Sequence, residues 1–116
     1  MLPEDKDAGF LWDIREASLD IIEFTSGRTF NEFESNKMVR FAVERQILVI
    51  GEAAKGISSA LKVKTPGIPW GAIIAQRNIL AHEYGEILVE RVWRVAKDNI
   101  PELLKQIEPF IPDMPE

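Results

Sequence analysis

With 116 residues, a net charge of −5 and no cysteine, the chain has the length of one domain, residues 1–116, and excludes disulfides, thiolate metal sites and cysteine nucleophiles. The N-terminal Met1-Leu2-Pro3-Glu4-Asp5 lacks the basic-then-apolar pattern of a secretory signal, and the apolar run Ile47 to Ile50 is far too short to cross a bilayer, so a cytoplasmic protein without membrane contact is expected. The acidic balance argues against a general binder of nucleic acid and leaves two options, RNA held on a local basic patch or a basic protein partner.

Helical spacing runs through the whole chain. Phe10, Leu11, Ile14, Ala17, Leu19, Ile21, Ile22 and Phe24 recur every three to four residues and predict a first helix from about Asp5 to Thr25. Ser26-Gly27 supplies its stop. Thr29-Phe30-Asn31-Glu32 has the spacing of a capping box and predicts a brief helical turn. Ser35 or Asn36 can cap a long second helix from about Lys37 to Leu61, whose centre, Met38 through Ile50, is apolar almost all round and is expected deep in the protein.

Lys64-Thr65-Pro66-Gly67-Ile68 reads as a loop, with Pro69 as the first residue of a third helix that ends near Gly85. A last helix begins around Leu88. Pro101 predicts a break or restart near Asn99, and Pro109, Pro112 and Pro115 predict a non-helical tail from about 109. The fold class expected is all-α, an up-and-down bundle of four to five helices.

Reactive side chains concentrate in one segment, Arg77-Asn78-Ile79-Leu80-Ala81-His82-Glu83-Tyr84, which holds the chain's single histidine and single tyrosine. On a helix Arg77 and Tyr84 nearly eclipse each other, Asn78 and His82 form an adjacent row, and all four fall within roughly 160° of arc. The apolar residues of this helix point to several sides, as expected if a second copy of the chain covers one of them. An arginine fork matched to a phosphate, beside a histidine that titrates near neutrality, suits phosphodiester chemistry. RNA cleavage through its own 2′-hydroxyl needs a general base and a general acid, so one histidine per chain points to a cleft shared by two chains. No metal or other cofactor is called for by ligand spacing.

Simpler readings exist for each group. Arg77 and His82 can be ordinary surface or core residues, and Tyr84 can be an aromatic packed at the bundle end near Trp70. Arg91, Arg94 and Lys97 form either an RNA-facing stripe or a solvated face. Glu44, Arg45 and Glu52 interrupt the apolar second helix, either to support the site or as a buried ion-pair network.

The segment from Arg77 to Tyr84 resembles the Arg-x4-His-x-Tyr motif of the HepT-like members of the HEPN superfamily. The resemblance extends to Arg40-x-Ala42-Val43-Glu44-Arg45-Gln46, to Ile50-Gly51-Glu52-Ala53, to Trp70-x-x-Ile73, and to Trp93 with Asp98-x-x-Pro101-x-Leu103. It implies an all-α bundle that dimerises through the motif helices and acts as a metal-independent ribonuclease. Arg77 would then steady the phosphate, His82 handle protons and Asn78 position one of them. It further implies an antitoxin partner, a minimal nucleotidyltransferase of the MntA type, that transfers AMP from ATP to Tyr84, and transfer RNA as the substrate. Glu83 stands where many relatives carry glycine; its carboxylate would repel RNA phosphate and hold His82 protonated. The alternative function is a non-catalytic nucleotide- or substrate-binding subunit of a nucleotidyltransferase complex.

Overall fold

The computed structural model describes residues 3–82 and 89–112, and the side chains of 6–78 and 89–112. Helices account for all regular structure among the described residues, in agreement with the all-α expectation. The first, α1 (Pro3–Thr25), buries Leu11, Ile14, Ala17, Ser18 and Ile21 along one side. It stops where expected: Gly27 adopts a φ of +71°, a conformation open to glycine at little cost. Ser26 N–H donates to the Glu23 carbonyl (3.3 Å), Arg28 Nε to that of Phe24 (2.9 Å) and Arg28 N–H to that of Thr25 (3.2 Å), so the last three carbonyls of the helix are satisfied.

The short α2 (Phe30–Ser35) carries the expected capping box, with Glu32 N–H donating to Thr29 Oγ1 at 3.2 Å and Thr29 N–H to Glu32 Oε1 at 2.9 Å. Of the two candidate caps for the next helix, Asn36 is used: its Oδ1 accepts from Val39 N–H at 3.1 Å, whereas the Ser35 hydroxyl donates back to the Asn31 carbonyl. The helix so capped, α3 (Lys37–Gly56), buries Val43, Ile47, Ile50, Gly51, Ala53 and Ala54. It is not enclosed on all sides as its composition suggested. Packed against α1 and the site helix, it leaves an outer stripe in solvent, where Met38 is 84% and Phe41 59% exposed.

Nor does α3 reach Leu61. Ile57 and Ser58 are extended, and a separate turn, α4 (Ser59–Lys64), follows. The cause is tertiary. Asp7, buried in the first helix, accepts from Ser58 N–H at 2.8 Å and from its hydroxyl at 2.5 Å, while Ser58 Oγ caps the new turn by accepting from Leu61 N–H. A charged acceptor 51 residues away thus takes the N–H that would have continued the helix. Asp7–Ser58, Gln46–Asp20 (3.0 Å) and the approach of Phe10 to Gly56 fix α1 and α3 as antiparallel.

Next come α5 (Trp70–His82) and a continuous rod made of α6 (Val89–Arg94), one wide π-type turn over Val95–Asn99, and α7 (Ile100–Ile107). Pro69 precedes α5 as its cap, one position earlier than expected, with its carbonyl accepting from Ile73 N–H at 3.0 Å. Pro101 does not break the rod. The wide turn, in which Ile100 N–H reaches back to the Val95 carbonyl, absorbs the missing donor and the ring without leaving helical backbone. The tail begins later than 109, because Glu108–Phe110 adds one tight 3-10 turn in which the fixed φ of Pro109 is acceptable. Arg15 Nε to Glu108 (3.4 Å) and Lys97 Nζ to the Thr25 carbonyl (3.4 Å) set the rod antiparallel to α1. No helix among the described residues is long and apolar enough to cross a membrane.

Half-buried Glu44 on α3 carries a measurable consequence. Burial raises its pKa above the usual carboxylate range, and the charge of Arg40 one turn away offsets this only in part. A raised folded-state pKa means stabilisation that is present below the unfolded pKa and lost as pH rises through the folded value. Glu44→Gln is therefore expected to raise Tm at pH 7 and to give no gain near pH 4. The gain is small, under about 3 °C, since the carboxylate stays partly hydrated. Thermal melts at the two pH values check it, and an equal shift at both would refute the assignment.

Candidate active site

Residues before α5 fix its position. Thr65 is buried at the end of α4, where its Oγ1 donates to the Leu61 carbonyl (2.8 Å) and accepts from the indole Nε1 of buried Trp70 (2.9 Å). That bond closes the Thr65–Trp70 loop and anchors the first turn of α5. Among the residues of α5 whose side chains are described, 70–78, the exposed ones are Gly71, Ala72, Ala75 and Asn78, all with short side chains.

Arg77 lies on the flank of α5 that meets α3. Its Nη2 donates to Glu52 Oε1 at 2.8 Å and its Nη1 to Asn78 Oδ1 at 2.9 Å, while Nε is buried with no partner among the described residues. Arg77 is the better covered partner of the ion pair, its side chain 21% exposed against 55% for Glu52. The two bonds hold the guanidinium at both nitrogens of its fork, and each of these nitrogens keeps a second N–H. Asn78, with its oxygen engaged, is left with its amide N–H groups to offer outward.

Glu52, expected from the sequence as support for the site, is thus brought to Arg77. Arg45 is not: it lies on the same outer stripe of α3, two turns and about 10.5 Å away along the helix axis. Both Arg45 and Glu52 are exposed, so the buried network considered as their alternative is not what they form. His82 is the last described residue of α5, its backbone on the same helix as Arg77 and its side chain outside the described residues, as is the helix end expected near Gly85. Glu83 and Tyr84 lie outside the described residues altogether.

The basic residues of the last rod are partly engaged elsewhere. Arg94 pairs with Glu90 (2.6 Å), and Lys97 stands over the Trp93 ring, 5.3 Å from its centroid. The second option, a solvated face with local partners, describes them better than an RNA-facing stripe.

Gly51 was not legible as a site residue. A β-carbon built on it would overlap Arg77 Cβ and stand 2.6 Å from Cγ and 3.3 Å from Cα. The signal available was a glycine inside a strongly apolar helix, where it costs roughly 0.5–1 kcal/mol relative to alanine and so calls for a close neighbour. Nothing in the sequence says which neighbour.

A groove of about 460 Å³ lies elsewhere, floored by Ile47, Ile50 and Ile73 and rimmed by Gln76, Asp98 and Glu102. Neither Arg77, Asn78 nor Glu52 lines it. The Arg77 cluster is a surface feature whose guanidinium has the donor geometry that suits a phosphate.

Comparison with known proteins agrees with this chemistry. A family model described as Ribonuclease HepT-like matches residues 14–110. A "Putative RNase" of Methanocaldococcus jannaschii is 41% identical over 99 residues, 85% of this chain and 91% of the relative. Another protein of that organism with the same description is 38% identical over 115 residues, 99% of each chain. A "Probable ribonuclease HepT" of Thermococcus cleftensis is 38% identical over 99 residues, 85% of this chain and 90% of its own length. No solved structure matches. With the family model spanning Ile14 to Phe110, and with relatives 38–41% identical over most of their own length, the chain belongs to the HepT-like ribonuclease family.

Proposed function

We propose that this chain is the toxin of a toxin–antitoxin pair, a single-domain endoribonuclease of the cytoplasm that cuts RNA, with tRNA as its substrate class, in a cleft shared by two copies. The observation that carries the reading is Arg77, clamped at both fork nitrogens yet keeping one N–H on each for a phosphate oxygen. His82, five residues on, supplies the proton transfers, and Asn78 orients a reacting group. With one histidine per chain, the His82 of one copy takes the 2′-hydroxyl proton and that of the other protonates the departing 5′-oxygen. The new bond joins the 2′-oxygen to phosphorus, the bond to the 5′-oxygen breaks, and a 2′,3′-cyclic phosphate is left. The short side chains exposed on α5 allow a second helix to approach closely, which supports dimerisation through the motif helix.

Control falls to Tyr84. A minimal nucleotidyltransferase antitoxin joins the α-phosphorus of ATP to the tyrosine oxygen and releases pyrophosphate. The added phosphate is attracted to Arg77 while the adenosine fills the RNA cleft.

The test is cleavage of bulk tRNA by purified protein in EDTA. Wild type is expected to produce 2′,3′-cyclic ends, and Arg77→Ala and His82→Ala to lose at least about 100-fold in rate. Incubation with the partner and ATP should add AMP by mass to wild type but not to Tyr84→Phe. A folded dimer with unmodified Tyr84 that cuts nothing would instead mark a non-catalytic subunit of a nucleotidyltransferase complex.

A further inference from the structure

We propose that Gly51 and Glu52 together form a seat on α3 that fixes Arg77 for the reaction, which makes both of them positioning residues. The proposal rests on the reading of Arg77 as the phosphate-binding group. Two successive residues do complementary work. Gly51, buried and without a side chain, leaves the notch occupied by the Arg77 stem, since any β-carbon there would overlap Arg77 Cβ. Glu52, the next residue, reaches the far end of the same side chain and takes Nη2 at 2.8 Å. Stem and head are therefore held from one step of one helix.

A role in stability does not account for Glu52. The carboxylate is more than half exposed, and exposed ion pairs contribute little to folding. On charge alone it is also unfavourable to an RNA site, because it repels phosphate and partly neutralises the arginine. Its presence is explained if orientation matters more than charge. An arginine on a helix flank samples many rotamers, and a fork that must meet a phosphate at two oxygens gains rate from being confined beforehand. With Nε buried against the protein, the seat also decides which edge of the guanidinium is offered, namely the remaining N–H groups of Nη1 and Nη2.

The experiment is steady-state cleavage of one defined RNA by Glu52→Ala, Glu52→Gln, Gly51→Ala and Arg77→Ala, each checked for fold by circular dichroism. Glu52→Ala is expected to lose roughly 10–100-fold in kcat with KM unchanged or lower, because a repulsive charge leaves while the fork loses its orientation. Glu52→Gln keeps an acceptor oxygen for Nη2 and should recover most of the lost kcat. Gly51→Ala should match or exceed the kcat loss of Glu52→Ala; if it fails to fold, the Glu52 pair carries the test. In the Arg77→Ala background, millimolar guanidinium should restore part of the activity, and adding Glu52→Ala should abolish that rescue.

Wild-type kcat in Glu52→Ala, with Arg77→Ala inactive, would overturn the seat and leave the assignment of Arg77 standing. Full activity in Arg77→Ala would overturn that assignment, and the seat with it.

Discussion

Phe33→Ala is expected to lower the free energy of unfolding by about 3–5 kcal/mol, a large share of the total for a chain of this length. Phe33 is completely buried although it belongs to a helix of only six residues, too short to persist by itself. Its ring lies 5.1 Å from that of Trp93, and Phe30 meets the same indole edge-on at 6.2 Å. Removing the ring leaves a cavity beneath α2 and unties that helix from α6. Urea unfolding followed by Trp fluorescence measures the loss. A cost below about 1 kcal/mol would mean that α2 collapses into the space and is not held by this contact.

The second large effect concerns chemistry. Arg77→Lys conserves the charge but replaces a planar fork by a single rotating ammonium that cannot reproduce both fork contacts, to Glu52 and to Asn78, together with a two-point grip on phosphate. We expect kcat for RNA cleavage to fall by roughly 10²–10³-fold, with KM and Tm little changed. If lysine supported wild-type turnover, Arg77 would be acting as a point charge and the two-point geometry would be irrelevant.

What the sequence made legible was the local part of the fold. The end of α1 and the starts of α2 and α3 depend on residues within four positions of one another, Gly27 just past Thr25, Thr29 with Glu32, and Asn36 with Val39, so spacing alone locates them. The break after Gly56 depends on Asp7, and no window of local pattern contains both. The break or restart expected at Pro101 does not occur: the backbone stays helical through a wide turn, and Val92, Ala96 and Ile100 along that stretch all stay buried, a packing that the local pattern does not report. The outer stripe of α3 was misjudged because composition reports how apolar a helix is and not how many neighbours it has.

The candidate site divides in the same way. Arg77, Asn78 and His82 share a helix and follow from spacing. Glu52 could be named as a supporting residue, but its partner could not, and the contribution of Gly51 exists only where two helices touch.

The antiparallel pairing of α1 with α3 also sets an order of assembly. Its cross-links are nested about the connection that carries α2, Asp20 with Gln46 across 26 residues and Asp7 with Ser58 across 51. Closing the inner link brings the outer partners near each other, so each further link adds little loop-closure entropy. The nesting predicts that the pair closes from this connection outward, with Asp7–Ser58 formed last. On that order Asp7→Asn is expected to speed unfolding while leaving the folding rate almost untouched; stopped-flow unfolding and refolding check this, and an equal loss in the folding rate would refute the order. Asp7 would thus act on the lifetime of the native state, holding the far end of the hairpin shut.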